Sequence, residues 1–366
     1  MKVTKGNFVR TIAIASGGTA GHVLPALTLA IALREKGYQI IWIGSDRFEA
    51  VIVPQNQFRF YSVLAKKKKG RVLPFRVLRF FRAIYHSFQF LRSNKADLVL
   101  GFGNYISLPS GIAAFLSGTD LMIHEQNTVV GLANRTLSIF AKKRFATLPI
   151  LKDHRDLFLN VGVPMSEQAI SIARESRTKR LRGEFHTPFR ILILGGSQGS
   201  SLFNSLLPKI LGSLAKKGHK FEFHHQTGEK EFTECLQLYQ NLGLEGDLFS
   251  FDFNLAFRYQ WADFVICRAG ALTLSELVAF ALPALILPIS KSRFNHQRKN
   301  AEYFGDRGAA ICLKGANSSD KIELVLESVL QNPKKMLSPL TERLFNLVQL
   351  DGIRKIINAI ELHFSE

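Results

Sequence analysis

Ser16-Gly17-Gly18-Thr19-Ala20-Gly21-His22 follows the apolar run Val9 to Ala15, and Gly195-Gly196-Ser197-Gln198-Gly199 follows Phe189 to Leu194. A strand that turns on glycines into a helix leaves backbone N–H groups and the positive end of a helix dipole pointing outward, an arrangement that binds phosphate. Two such turns predict two similar α/β halves, with anionic groups handled on both. His22 stands at the mouth of the first helix, where it either packs the helix end or meets a phosphate or an acceptor hydroxyl. His124-Glu125-Gln126-Asn127 closes another strand and reads as a polar group lining a cleft; Thr128 stands where a zinc protease would need its second histidine. The densest polar cluster is Arg268-Ala269-Gly270-Ala271-Leu272-Thr273-Leu274-Ser275-Glu276, followed by Asn295-His296-Gln297 and Asn300. Small residues there let a ligand approach the backbone, and Glu276 can bind two adjacent ribose hydroxyls. Thr273 with Glu276 also has the spacing of a capping box.

Strands and helices alternate nearly throughout, which predicts parallel sheets covered by helices on both faces. Strands are expected at Val9–Ala15, Gln39–Gly44, Ala96–Gly101, Asp120–His124 and Arg144–Thr147, then at Phe189–Leu194, Lys220–His225, Leu248–Phe251, Phe264–Cys267, Ala284–Leu287 and Ala309–Cys312. Helices are expected at Val23–Glu35, Pro74–Leu91, Leu108–Leu116 and Val130–Ala141. A length of 366 residues suits two domains, divided into 1–164, 165–340 and a closing helix in 341–366 that packs across both. The segment Val161 to Pro188 reads as their connection.

The net charge of +19 favours an anionic partner without choosing among nucleic acid, anionic lipid and phosphorylated substrate. No zinc finger, RNP-like strand or basic recognition helix speaks for nucleic acid. Cys235, Cys267 and Cys312 are too widely spaced for a zinc motif and read as reduced thiols. Leu98 to Thr119 carries no charge, but its glycines and Pro109 break it into strand, turn and helix start. Lys66, Lys67, Lys68 and Lys69 precede an amphipathic stretch with Phe75, Leu78 and Phe81, a combination that suits an anionic membrane surface as well as a core helix with a solvated face.

The first turn is one glycine short of a dinucleotide fingerprint, with Ser16 in its first position and Asp46 near the place of a ribose-binding acid. The second turn lacks that spacing. A nucleotide-sugar transferase therefore fits better than an NAD-dependent oxidoreductase.

Taken in order, Ser16 to Ala26, His124 to Asn127, Gly195 to Gly199, Cys267 to Glu276, and Asn295-His296-Gln297 with Asn300-Ala301 resemble the MurG family of peptidoglycan N-acetylglucosaminyltransferases over about residues 9 to 330. The resemblance implies two Rossmann-like domains facing a cleft, the GT-B type, and an inverting transfer from UDP-N-acetylglucosamine to the 4-hydroxyl of the muramyl sugar of undecaprenyl-linked lipid I, giving lipid II. It implies that the C-terminal half holds the donor: Glu276 at the ribose, backbone near Asp252 at the uracil, Ser197 and the turn Ala271, Leu272, Thr273, Leu274 and Ser275 at the diphosphate, Gln297 and His296 at the sugar. Thr19, Ala20, Gly21 and the Gly101–Ser107 turn would hold the acceptor diphosphate, and Asn127 would help position its sugar. His22 is the expected base, Arg268 a further stabiliser of the departing diphosphate, and Glu276 the second residue on which turnover depends. No cofactor and no metal are expected. The expected setting is the cytoplasmic face of the bacterial inner membrane, beside other cell-wall synthesis enzymes. The chain departs from the family pattern at Val163 and Ser166, where an asparagine and an arginine are usual, and at Ala20 and Asn104, which replace glycines. These departures bear on acceptor geometry and on a charged contact near the donor. A GT-B transferase for another nucleotide sugar or lipid acceptor is the alternative.

Overall fold

The run before the first glycine turn forms β1 (Thr11–Ala15), with every residue buried. A strand buried on both faces needs helices on both sides, which is the parallel α/β solution. The computed structural model describes residues 9–64, 73–151, 155–288, 295–313 and 319–366. They fall into two compact units, Met1–Met165 with Asp351–Glu366, and Ser166–Leu350.

In the first unit, β1 is followed by α1 (Ala20–Glu35), β2 (Gln39–Ser45), α2 (Glu49–Gln55), β3 (Arg59–Leu64), α3 (Leu73–Ser93), β4 (Leu98–Gly101), α4 (Ser107–Ser117), β5 (Asp120–Glu125), α5 (Leu132–Leu137), β6 (Lys143–Ala146) and β7 (Leu159–Asn160). The strands pair in parallel in the order β3-β2-β1-β4-β5-β6-β7. The order reverses between β1 and β4, so the loops leaving their carboxyl ends diverge and open a crevice, the usual ligand position in such sheets. Those loops are the first glycine turn and 102–106.

The second unit repeats the scheme with α6 (Glu167–Leu181), β8 (Phe189–Leu194), α7 (Ser201–Lys216), β9 (Phe221–Gln226), α8 (Phe232–Asn241), β10 (Asp247–Phe249), α9 (Ala256–Trp261), β11 (Phe264–Cys267), α10 (Ala271–Phe280), β12 (Ala284–Ile286), α11 (His296–Asp306), β13 (Ile311–Cys312), α12 (Ser319–Gln331) and α13 (Pro333–Asn346). Its parallel order is β10-β9-β8-β11-β12-β13. The switch point lies between β8 and β11, so the second glycine turn and Arg268–Gly270 flank the corresponding crevice.

Where one closing helix in 341–366 is expected, the chain forms two, α13 and α14 (Gly352–Ser365), separated at 347–351. α14 belongs to the first unit, where Ile356, Ile357 and Ile360 join the core of Ile12, Ile14 and Leu29. The expected helix over Val130 to Ala141 shortens to α5. The segment read as a connection contains α6, which looks polar because its buried face is Ala173, Ser176 and Arg177.

α6 buries those arginines for a reason. Arg177 donates to the carbonyls of Val278 (2.7 Å), Ala279 (3.2 Å) and Phe345 (2.7 Å). Arg180 donates to Phe280 (2.8 Å), Ala262 (2.9 Å) and Tyr259. These carbonyls lie in or just after the last turns of α10, α13 and α9, where the negative end of each helix dipole gathers, so a guanidinium suits them. Burial lowers both arginines to about 10. Arg180→Met should strip three carbonyls of their donor and cost at least about 3 kcal/mol, since each buried unsatisfied acceptor costs about 1–3 kcal/mol. Urea unfolding of the full chain measures this; an unchanged midpoint would show that water replaces the guanidinium.

Candidate functional site

The first crevice is built from glycine and acid together. Glu49, fully buried at the start of α2, accepts from the Gly18 amide (2.9 Å), the Ser45 amide (2.8 Å) and the Ser45 hydroxyl (2.6 Å). A Cβ on Gly17 would run into this carboxylate, which is why glycine stands there. The Ser45 hydroxyl also lies 2.9 Å from the Tyr105 hydroxyl. The loop is thereby held from behind, and the amides of Thr19, Ala20 and Gly21 are left without a partner among the described residues. Ala20 is the first residue of α1 and does not have a positive φ, so its methyl fits.

His22 is half-buried beside those amides. Its Nδ1 lies 3.1 Å from the Phe102 carbonyl and 2.9 Å from Gln126 Oε1, while Gln126 Nε2 donates to the same carbonyl at 3.1 Å. Two oxygen acceptors at Nδ1 place the proton there and leave the lone pair on Nε2. His124, one strand layer deeper, is lowered to about 3 by burial and by the nearby His22, and stays neutral. Glu125 holds the loop after β5: it accepts from the Asn127 amide (3.0 Å) and side chain (3.0 Å), the Gly131 amide (3.0 Å) and Asn134 Nδ2 (2.9 Å).

Asn104 is more than a substitute for glycine. Its Oδ1 accepts from the amides of Ile106 (2.8 Å) and Ser107 (3.3 Å), and its Nδ2 donates to the Gly17 carbonyl. It occupies amides at the start of α4 and ties the two crevice loops together, so α1 is the helix of this crevice that keeps its amides open.

The second crevice shows the same division. The start of α7 is capped by Ser200, whose Oγ accepts from Phe203 N at 3.2 Å. The start of α10 is not: Gly270 is its N-cap without a side-chain bond, and the amides of Ala271, Leu272 and Thr273 have no partner among the described residues. Thr273 lies inside the first turn of α10, so the expected capping box with Glu276 is not formed. Between the two helices, Arg268 donates to Ser200 Oγ and stacks over Phe203, while its buried Nε has no partner among the described residues. Gly199 has φ +72°, and a Cβ there would strike the Thr227 carbonyl, which holds the turn carrying Ser197 against the end of β9.

Glu276 emerges one turn along α10. Tyr259, buried in α9, donates to its Oε2 at 2.8 Å. Part of Glu276 remains accessible, yet burial of the carboxyl raises it to about 7, against the opposing effect of the Tyr259 hydrogen bond. His296 and Gln297 open α11, and buried Asn300 anchors that helix through Nδ2 to the Ala269 carbonyl at 3.1 Å. Asp252 lies in the loop after β10, its carboxylate turned back onto Asn254 and Arg258.

The expected residues thus divide between the two units: Thr19, Ala20, Gly21, His22 and Asn127 in the first, and Ser197, Asp252, Arg268, Ala271 to Glu276, His296 and Gln297 in the second. Ser166 takes the N-cap of α6, accepting from Ala169 N at 3.2 Å, and supplies no charge. On the first unit, Leu78 (65%) and Phe81 (61%) are exposed, with Tyr85, Phe115, Leu116 and Ile139 also exposed and the Phe115 ring 4.6 Å from Phe140. Lys66 to Lys69 and the side chain of Phe75 lie outside the described residues. Among the described residues no helix is long and apolar enough to cross a membrane. Glu49, Tyr105, Ser200 and Tyr259 are not legible as site residues beforehand; an acid four residues after a strand end and a tyrosine seventeen before Glu276 are weak signals.

Residues 12–146 match the N-terminal domain model of glycosyltransferase family 28, and residues 190–353 its C-terminal domain model. A Psychromonas ingrahamii protein named UDP-N-acetylglucosamine--N-acetylmuramyl-(pentapeptide) pyrophosphoryl-undecaprenol N-acetylglucosamine transferase is 32% identical, over 95% of this chain and 97% of its own. A Pseudomonas syringae pv. syringae protein of the same name is 34% identical over 95% and 97%. The crystal structure of Acinetobacter baumannii MurG superposes with a TM-score of 0.76 at 26% identity, covering 97% of this chain and 99% of that one.

The raised Glu276 carboxyl predicts a pH signature. The folded state keeps the proton up to about 7, whereas the unfolded chain releases it near 4.5, so stability present at low pH is lost as pH rises from 4.5 through 7. In melting curves without ligand, Glu276→Gln should gain on the parent protein across that window and hold its advantage above it. Parallel profiles would show that the carboxyl titrates normally.

Proposed function

The chain belongs to glycosyltransferase family 28, and we propose that it transfers N-acetylglucosamine from UDP-N-acetylglucosamine to the muramyl 4-hydroxyl of lipid I, forming lipid II for peptidoglycan. Relatives named for that reaction match the chain over nearly its whole length. The observation that carries the assignment of parts is the pair of open helix starts, α1 and α10, at the switch points of two parallel sheets. Each suits a diphosphate: that of the lipid acceptor at Thr19, Ala20 and Gly21, that of the nucleotide at Ala271, Leu272 and Thr273.

On this reading the acceptor hydroxyl attacks the anomeric carbon, UDP leaves, and the configuration inverts. His22 takes the hydroxyl proton at Nε2, because Nδ1 is committed to Phe102 and Gln126. Negative charge on the departing UDP is met by the α10 amides, Ser197 and Arg268, whose buried Nε has no partner among the described residues. Glu276, steadied by Tyr259, accepts from the ribose hydroxyls; Gln297 and His296 meet the sugar, and Asn127 the acceptor. Within each unit these groups are held by their own hydrogen bonds before substrate arrives, which lowers the cost of aligning each substrate on its unit.

The exposed apolar residues of α3 and α4, with Ile139 and Phe140, suit a peripheral seat on an anionic membrane, where an undecaprenyl acceptor resides. The Lys66–Lys69 run would add electrostatic attraction.

Labelled N-acetylglucosamine supplied as its UDP donor to a short-chain lipid I analogue, with and without EDTA, tests the transfer. Product that forms in EDTA and falls about 10- to 100-fold in kcat/KM with Glu276→Ala, the value of a lost charge-assisted hydrogen bond, is the expected result; donor binding without product would redirect the search to another acceptor. For the membrane seat, Phe81→Glu with Ile139→Glu should reduce sedimentation with anionic vesicles at least about tenfold, from the lost burial of two large side chains, while the soluble analogue is still turned over. Undiminished sedimentation would remove that face from the account.

A further inference from the structure

The loop after β10 is braced by a charged fork that none of the roles above uses. Arg258, on α9, lies with its guanidinium 3.7 Å over the Phe249 ring and is 20% exposed. Its Nε donates to Asp252 Oδ2 at 2.9 Å, and its Nη1 to Asp247 Oδ2 at 2.6 Å and to His224 Nδ1 at 3.1 Å. His224 accepts at Nδ1, so its proton sits on Nε2; the ring stacks on Trp261 at 3.5 Å and 5°. Burial lowers the His224 pKa, opposed by Asp247 and assisted by Arg258, and keeps the ring neutral. One cation therefore serves two carboxylates, one at the start of β10 and one in the loop that follows it.

The other carboxylate oxygen of Asp252 is also spoken for. Oδ1 accepts from Asn254 N at 2.9 Å, and Asn254 Oδ1 accepts from Ala256 N at 3.3 Å. What the loop can offer a ligand is its backbone, together with Phe253, which is 61% exposed and edge-on to Phe251. Backbone recognition of a pyrimidine needs a fixed frame. Uracil presents an N3–H donor beside an O4 acceptor; cytosine presents the reverse at both positions. A peptide free to rotate would serve either base, whereas a pinned one selects.

We infer that Arg258 is a positioning residue: by pinning Asp252 and Asp247 it fixes the backbone of residues 251–254 as the reader of the donor's base and sets the preference for uracil over cytosine. The inference rests on the placement of the base at the Asp252 loop in the donor reading above.

Calorimetric titration of the full chain with UDP and with CDP tests it. The parent protein should prefer UDP. Arg258→Ala should weaken UDP about tenfold, as expected for a lost charged hydrogen-bond set, and CDP much less, with donor KM raised and kcat at saturating donor retained. Arg258→Lys keeps the charge without the fork and should recover only part of the preference. On an Asp252→Asn background, Arg258→Ala should cost less than on the parent, as coupled partners require. Equal weakening of UDP and CDP, or no weakening, overturns the inference, and Arg258→Lys decides by the same ratio should the alanine variant fail to fold. A parent protein that binds UDP but does not distinguish it from CDP also overturns it. No UDP binding by the parent overturns the donor reading and this inference together.

Discussion

A helix start has amides that nothing inside the helix can satisfy, and in this protein the neighbourhood decides which of them stay open. Ser200 closes α7 and Asn104 closes the approach to α4, whereas α1 and α10 receive no side-chain cap. The pattern is the same in both units, at the same place in the strand order. Glycine turns, small residues, a glycine N-cap at α10 and a Thr19 N-cap at α1 that makes no capping bond are therefore parts of one arrangement: each keeps the protein from answering its own amides and leaves the answer to a ligand.

Acids brace the loops around these crevices, despite a net charge of +19. Glu49 stands behind the first turn, Glu125 behind the loop of Asn127, and Glu231 takes the Ser201 hydroxyl and Asn204 Nδ2 at the base of α7. Each carboxylate spends its lone pairs on N–H and O–H groups facing inward, which turns the remaining donors outward. The acids act as templates for loop shape, and the excess positive charge lies elsewhere, much of it on the surface. Local geometry and overall charge thus address the same class of partner at different ranges.

Much of this was legible beforehand because it is written in short, contiguous signals. The two turns, the strand runs Phe189–Leu194 and Phe264–Cys267, and the cluster from Arg268 to Glu276 each carry their reason within ten residues. What stayed hidden depends on partners far along the chain. α6 looked like a polar linker since its buried arginines make sense only beside the carbonyls of Val278 and Phe280, about a hundred residues away. Glu49 is unremarkable until Gly18 closes over it. β3 is an edge strand whose run Arg59 to Leu64 shows no clean alternation of polar and apolar residues, and β7 has only two residues. The single closing helix became two because no periodicity marks where a chain changes unit.

That last feature has a temporal meaning. Ile356, Ile357 and Ile360 sit in the same core as residues of β1 and α1, and His363 bonds Asp120 at 2.9 Å. Synthesis on a ribosome runs from the amino end, so the unit that emerges first waits for the final residues before its core is covered. The second unit, continuous from Ser166 to Leu350, can finish earlier. During that interval the apolar surface later covered by α14 is open to solvent and to chaperones. The unit begun first is completed last.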